Sequence, residues 1–406
     1  PMGLGCVAAA LDEGGHAVRF LDLMAIDDWR RPLTDALADP APEIIGISIR
    51  NIDDQDSANP RFLLEEARAV VAYCKANTHV PVVLGGAGYS IFPESVLDFT
   101  GADLGIQGEG ETAFVMLLER LAAGKALDDV PGLYIRGRGL QAPRIFERPL
   151  DRMPLPAPDL FDARLADNPS YFLPIQTRRG CPLRCSYCST PAIEGALIRR
   201  RSAKTVVASL AQWRAAGFRR IFFVDNVFNL PEGYARELCD RITAARLDIE
   251  WRGIIYPGRV SEALVRAMAR AGCRDVSLGF ESGFQPILDA MHKRFSLDEV
   301  RGTARLLADR GIGRMGFLLL GGPGETRETA VQSLAFADSL ELEAVKLTVG
   351  LRIYPDTALA RTAVRDGVIA PDTDLLQPHF YISPGLEDWL RETVRTWMAD
   401  RPHWLL

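Results

Sequence analysis

Three cysteines fall within eight residues, in the run Arg179-Gly180-Cys181-Pro182-Leu183-Arg184-Cys185-Ser186-Tyr187-Cys188. The spacing is C-x3-C-x2-C. Thiolates are the usual ligands of iron–sulfur clusters, and three of them this close can bind three irons of a 4Fe–4S cluster. The fourth iron is then open to a ligand from outside the protein. The competing readings are chance or a zinc site one ligand short. A structural zinc takes four ligands, and this loop offers no further Cys or His to complete the set. The other four cysteines, Cys6, Cys74, Cys239 and Cys273, are scattered and read as small buried hydrophobes.

The elements around the three thiols decide where they sit. From residue 173 onward, apolar runs alternate with helical periodicity. Strands are expected at Pro174–Thr177, Arg220–Val224, Glu250–Ile255, Asp275–Phe280, Gly316–Leu320 and Ala344–Gly350. Helices are expected between them, at 203–216, 231–245, 261–271, 286–292 with 297–309, and 326–339. These β/α units make a partial (β/α)6 barrel over 173–357, and the cysteines follow its first strand. Barrel active sites lie at that carboxyl end. A short mixed segment, 358–406, follows. His292 and Lys293 close a helix and read as surface charges favoured by its dipole.

The first 150 residues alternate in the same way. Helices are expected at Gly3–Glu13, Pro60–Asn77 and Thr112–Ala123, and strands at Ala17–Leu21, Glu43–Ile49, Pro81–Leu84 and Ala102–Ile106. The strand at 43–49 reads as continuously buried. A hairpin is expected from 132–135 and 144–147. Strands alternating with helices imply an α/β, doubly wound parallel sheet of the Rossmann-like kind. Such sheets bind ligands beyond the carboxyl ends of their strands. That edge carries Arg50 and Asn51, the turn from Gly85 and Gly86 to Ser90, and the turn Gly108-Glu109-Gly110-Glu111. The chain opens directly in a helix, so a first strand is expected upstream of Pro1. Residues 151–172 form a linker, with three prolines in 152–158.

Composition narrows the function classes. At roughly 150 residues per domain, 406 residues make two or three domains. The formal net charge of −6 argues against general nucleic-acid binding, which needs basic patches. No apolar run approaches the roughly 18 residues of a membrane span. The seven cysteines are an odd number, and no basic leader is legible. Both points weigh against a secreted disulfide framework, and the expected location is cytoplasmic.

The second block resembles the radical SAM superfamily. The resemblance rests on the C-x3-C-x2-C run, on Leu278-Gly279-Phe280-Glu281-Ser282-Gly283, which is similar to the GxESG signature of strand four, and on Gly321-Gly322-Pro323-Gly324-Glu325-Thr326, similar to a GxPGET turn after strand five. It implies that Cys181, Cys185 and Cys188 hold the cluster and that the open iron holds the amino and carboxylate groups of S-adenosylmethionine. One electron then yields a 5′-deoxyadenosyl radical, and the implied electron donor is a flavodoxin or ferredoxin. Tyr187 matches the aromatic position before the third Cys. Asp225-Asn226 ends strand two, where relatives carry acidic residues. The resemblance thus assigns Tyr187, Asp225, Glu281, Ser282, Gly321 and Gly322 to S-adenosylmethionine. Taken alone, Gly321–Gly324 also reads as a plain turn and Glu281 as a helix cap.

The first block resembles the cobalamin-binding domain that precedes many radical SAM barrels. The matching residues are Gly3–Gly5, His16, Ile45–Ser48, Val83–Gly86 and Gly108–Glu111. The implied cobalamin contacts are Arg50, Asn51, Gly85, Gly86, Ser90, Gly108, Glu109 and Gly110. Glycines let the corrin ring and nucleotide tail approach backbone amides. The Asp-x-His-x-x-Gly motif that ligates cobalt from below is absent, so a cobalt without a His ligand is expected. Arg50 either faces the lower cobalt surface, favouring reduced cobalt, or pairs with Asp53 or Asp54.

Together the two resemblances imply a cobalamin-dependent radical SAM enzyme methylating an unactivated carbon of a small molecule. One S-adenosylmethionine methylates the cobalamin and a second provides the radical. The rival reactions are rearrangement, ring contraction or cyclisation with the same cofactors, and a redox sensor without turnover. Tyr354, His379, Phe380 and Tyr381 are candidates for the substrate pocket or for core aromatics.

Overall fold

The computed structural model describes residues 2–406 apart from residues 24, 25 and 27. The chain divides into two compact units, one built from residues up to Asp54, Arg61–Leu160 and Ala192–Gly195, the other from Gln55–Pro60, Phe161–Pro191 and Ala196–Leu406.

In the first unit, helices α1 (Met2–Glu13) and α2 (Arg30–Ala38) precede strand β1 (Ile45–Ser48). Helix α3 (Leu64–Asn77), strand β2 (Val82–Gly85), the short helices α4 (Ala87–Ile91) and α5 (Pro93–Thr100), strand β3 (Leu104–Ile106) and helix α6 (Gly110–Ala122) follow. Strands β1, β2 and β3 are parallel neighbours. Two antiparallel strands, β4 (Leu133–Ile135) and β5 (Gly139–Leu140), extend the sheet beyond β3. The core gathers Leu11, Val83, Leu104, Ile106, Phe114, Leu117 and Leu133, so α1 and α6 cover one face of the sheet.

Three local expectations change. Residues 17–21 form no strand. Strand β1 is not continuously buried: Ile45 and Ile47 are half-buried while Gly46 and Ser48 are exposed, and a Cβ at Gly46 would stand 2.9 Å from the Phe114 ring of α6. The hairpin closes sooner than its spacing suggested, with the return strand at 139–140 rather than 144–147. Gly137 and Gly139 both take positive φ, 76° and 70°, which reverses the chain directly after β4.

The second unit begins with β6 (Leu173–Ile175) and β7 (Arg178–Arg179). Then come α7 (Thr190–Glu194), whose last residues group with the first unit, β8 (Arg199–Arg200), α8 (Ala203–Ala215), β9 (Arg220–Phe223), α9 (Glu232–Ala244), β10 (Glu250–Ile255), α10 (Glu262–Arg270), β11 (Cys273–Glu281) and α11 (Gln285–Ala290). After these lie α12 (Leu297–Ala308), β12 (Gly313–Leu320), α13 (Arg327–Ser339), β13 (Ala344–Val349), β14 (Leu351–Arg352), α14 (Ala358–Arg365), β15 (Phe380–Tyr381), α15 (Glu387–Met398) and β16 (Trp404–Leu405). The parallel sheet runs β6-β9-β10-β11-β12-β13-β16. Its last strand comes from the tail, so the C-terminal segment adds a seventh strand to the six expected ones.

Helix starts are set by side-chain caps. Ser202, Ser261, Ser296, Thr326 and Thr357 each accept a hydrogen bond from the backbone N–H three residues on. On the helix-facing side of the sheet Phe223, Phe228 and Trp251 stack with centroids 4.7–5.2 Å apart, and the Trp251 indole donates to Ala271 O at 2.9 Å. Helices therefore cover one face of the sheet, and its carboxyl edge presents the loops after β6, β9, β11 and β12 together.

Candidate active site

The thiol loop springs from the carboxyl end of β6 and is framed by the ribbon β7–β8, in which Arg178 pairs with Arg200 and Arg179 with Arg199. All three thiols are free and half-buried. Burial raises the Cys181 thiol to about 11, and the neighbouring Cys188 and Cys185 push in the same direction. Burial also raises Cys185. Cys181 and Cys185 therefore resist ionising alone, and a cluster that supplies positive charge would take the place of the proton. Among the described residues no three His, Cys, Asp or Glu side chains converge as the ligands of a single metal ion. Thiolates are the usual ligands of iron–sulfur clusters, whereas a structural zinc takes four ligands, and this loop brings three thiols. This donor set fits a cluster with three protein ligands.

Asp225, expected at the cofactor, instead anchors this loop. It is fully buried at the end of β9. Its Oδ1 accepts from the backbone N–H of Thr177 at 2.7 Å and of Arg178 at 3.1 Å. Its Oδ2 accepts from the Thr177 hydroxyl at 2.6 Å and from Arg178 Nε at 3.1 Å. A carboxylate has about four lone-pair sites, and protein donors take them all. The Arg178 guanidinium lies 5.2 Å from the Phe228 ring centroid and 4.7 Å from that of Tyr234, and donates to Leu230 O at 2.6 Å. Beyond the loop, Cys188 Sγ donates to the Thr190 hydroxyl at 3.2 Å, which donates to Asn226 Oδ1 at 3.4 Å.

The other sequence-derived residues divide into two sets. Tyr187 and Glu281 come together: the Tyr187 hydroxyl donates to Glu281 Oε1 at 3.0 Å. Glu281 sits at a β-bulge of β11 with φ +63°, which turns its side chain away from the strand's regular alternation. Lys293 also donates to Glu281 Oε1, at 2.9 Å, and its side chain is 6% exposed. The surface reading of Lys293 is thus overturned. Nothing in its local sequence signals burial, because its partner comes from a different element.

Ser282, assigned to S-adenosylmethionine, is fully buried: its hydroxyl shares a hydrogen bond with Ser333 of α13 at 3.0 Å and accepts from Phe284 N at 3.1 Å. It locks β11 to that helix and presents no free group. The Gly321–Gly322 turn is engaged by the C-terminal segment, where Ser383 N donates to Gly321 O at 2.9 Å and the Ser383 hydroxyl to Gly322 O at 2.6 Å. Glu325 closes the same turn by accepting from Gly321 N, and burial pushes its carboxyl up to about 7. Tyr381 is a core residue whose hydroxyl donates to Asp366 at 2.8 Å. It packs with Met291, Leu351 and Ile353 in a cluster against which Tyr187 rests. Tyr354 is buried with Arg352 over its ring, while His379 and Phe380 are more open.

In the first unit, Arg50 and Asn51 are exposed just beyond the carboxyl end of β1. Gly86 serves the fold: with φ +95°, a Cβ there would stand 2.5 Å from Ile49 O, so the residue lets two strand-end loops touch. Gly85 is roomier, with Ile106 O as the nearest atom at 3.8 Å. Ser90 is a brace between turns, its buried hydroxyl donating to Gly86 O at 2.8 Å and accepting from Gly108 N at 2.9 Å. Glu109 directly precedes α6 and accepts from Glu147 N at 2.9 Å, and a Cβ at Gly110 would stand 3.2 Å from the Val7 side chain. The carboxyl edge of β1–β3 thus keeps an exposed cation at Arg50 and an uncrowded backbone at Gly85, features that fit a large anionic-tailed ligand such as cobalamin.

The two blocks match two family models in order. Residues 1–118 match the B12 binding domain and residues 175–337 the radical SAM superfamily. The chain belongs to the cobalamin-dependent radical SAM enzymes. Among members of the family, an uncharacterized methyltransferase of Pyrococcus horikoshii is 28% identical, over 91% of this chain and 79% of its own length. The tryptophan 2-C-methyltransferase of Streptomyces laurentii is 26% identical, over 91% of this chain and 73% of its own length. The structure of the radical S-adenosylmethionine methyltransferase TsrM of Kitasatospora setae, with tryptophan and an S-adenosylmethionine analogue bound, superposes with a TM-score of 0.88 at 23% identity, covering 100% of this chain and 88% of that one. It shares this radical SAM fold. Among the described residues no helix is long and apolar enough to cross a membrane.

Proposed function

We propose that this enzyme is a C-methyltransferase acting on an unactivated carbon of a small molecule, using a 4Fe–4S cluster, S-adenosylmethionine and cobalamin. The carrying observation is that three free, half-buried thiols share one loop at the carboxyl edge of a parallel β/α sheet, in a chain that begins with a B12-binding domain. When bound, these groups supply an oxidising radical and a transferable methyl group, so the protein's part is binding, orientation and exclusion of water.

In this reading Cys181, Cys185 and Cys188 hold three irons. Asp225 and Arg178 fix the approach to the first cysteine, and Glu281 fixes Tyr187 beside the second and third. Arg50, Asn51, Gly85 and the Gly108–Gly110 turn would hold the cobalamin, with Arg50 as the exposed cation at that edge of the sheet. A flavodoxin- or ferredoxin-like donor delivers the electron. Low-potential clusters and free thiols suit a reducing compartment, which supports a cytoplasmic location.

The methyltransferase names of both relatives favour methylation over rearrangement or cyclisation. Product mass tests it. With tryptophan and other small aromatic molecules offered to the loaded enzyme, methylation adds one carbon to the product, whereas consumption of substrate at unchanged carbon count contradicts the proposal.

A further inference from the structure

The turn after α11 grips the thiol loop at three successive points. Met291 O accepts from Ser186 N at 3.0 Å. His292 Nδ1 lies 3.2 Å from Arg184 O. Lys293 reaches Glu281 Oε1, the same oxygen that takes the Tyr187 hydroxyl, and its ammonium stands 5.4 Å from the centre of the Tyr187 ring. The Lys293 and Glu281 side chains are only 6% and 9% exposed. A buried ion pair is a poor device for stability, because desolvation consumes most of its attraction. Packing alone at this position would be served by two apolar side chains.

What the pair does have is a location. Both charges meet at Tyr187, the residue between Ser186 and Cys188 in the thiol loop: Glu281 Oε1 takes its hydroxyl at 3.0 Å and the Lys293 ammonium stands 5.4 Å from its ring centre. A cluster held by three thiolates gains a negative charge on reduction. A neighbouring cation favours the reduced form and a neighbouring anion disfavours it, most strongly where water is excluded.

We propose that Lys293 and Glu281 are positioning residues that set the reduction potential of the cluster held by Cys181, Cys185 and Cys188, their opposed charges nearly cancelling at the thiol loop. The inference rests on the cluster assignment. It uses fixed charges, so it predicts shifts of opposite sign, which a purely structural role of the same two residues does not.

The experiment is an EPR-monitored redox titration of the anaerobically reconstituted full chain, without S-adenosylmethionine or substrate. Iron and sulfide are measured first. A wild-type chain that fails to take up about four of each sinks the cluster assignment itself, separately from this proposal. With iron retained, Lys293→Met leaves Glu281 uncompensated and should lower the midpoint potential. Glu281→Gln leaves Lys293 uncompensated and should raise it. Lys293→Arg keeps the cation and should stay near wild type, as should the Lys293→Met/Glu281→Gln double variant. Shifts of the same sign in the two single variants, or no shift in either, overturn the proposal. Should Lys293→Met lose iron, Glu281→Gln decides alone: a potential that is unchanged or lowered refutes it.

Discussion

Asp225→Asn separates an anchoring role from a ligand-binding one. The side chain is fully buried, and its partner Arg178 is 2% exposed. Four donors meet its two oxygens at 2.6–3.1 Å. Asparagine keeps one acceptor oxygen, points an N–H at donors that need an acceptor, and leaves the Arg178 charge uncompensated between Phe228 and Tyr234. Breaking a buried pair from one side costs about 3–5 kcal/mol, and the stability of the second unit should fall by that amount. The assay is urea unfolding of the cluster-free chain followed by tryptophan fluorescence. Five of the six tryptophans, all but Trp29, lie in the second unit, so the signal reports on it. The double variant Arg178→Met/Asp225→Leu should recover most of the loss, because an apolar pair leaves no charge behind. Iron uptake should fall in Asp225→Asn, since Thr177 and Arg178 set the path into Cys181. A variant that unfolds within about 1 kcal/mol of wild type, takes up full iron and loses only S-adenosylmethionine binding would refute the anchoring role.

Other expectations are quickly checked. Changing any one of Cys181, Cys185 or Cys188 to Ala should abolish formation of 5′-deoxyadenosine and reduce reconstituted iron; a triple variant that still cleaves S-adenosylmethionine would contradict the assignment. Gly86→Ala should destabilise the first unit by about 2–5 kcal/mol through backbone strain and the contact with Ile49 O, while Gly85→Ala should be tolerated; the comparison is made by circular dichroism melts. Glu325 holds a proton in the folded chain to about pH 7, above its ordinary value of 4.5. Folding therefore takes up a proton in that window, and stability should fall as pH rises from about 4.5 through about 7, by up to about 3 kcal/mol. Glu325→Gln should lose that slope; parallel pH profiles of melting temperature in the two proteins would count against it.

How far the sequence carried can be judged residue by residue. Strand β10 was legible to the residue at Glu250–Ile255, and its neighbours to within a few, because apolar alternation, serine caps and glycine turns are local signals. The three cysteines were legible because their chemistry needs that spacing. Asp225 stands at the strand end that its place after the Arg220–Val224 run implies, but its oxygens meet four protein donors there. Whether a carboxylate faces a ligand or four protein donors depends on where Thr177 and Arg178 lie, forty-eight and forty-seven residues away. Lys293 was missed for the same reason, since a lysine after a helix reads as solvated unless its buried partner is known. Ser90 and Gly86 marked the right edge of the sheet, but their roles are set by contacts between turns rather than by the turns themselves.

The central claim is tested most directly without knowing the substrate. The chain is loaded with cluster and cobalamin, reduced, and given S-adenosylmethionine labelled in its methyl group. A methyltransferase of this kind must remove that methyl from one S-adenosylmethionine, leaving S-adenosylhomocysteine, and must cleave another to 5′-deoxyadenosine. The predicted result is S-adenosylhomocysteine that appears only when cobalamin is present, with the label retained in the protein fraction. Formation of 5′-deoxyadenosine with no S-adenosylhomocysteine would contradict methyl transfer and leave a radical rearrangement in its place.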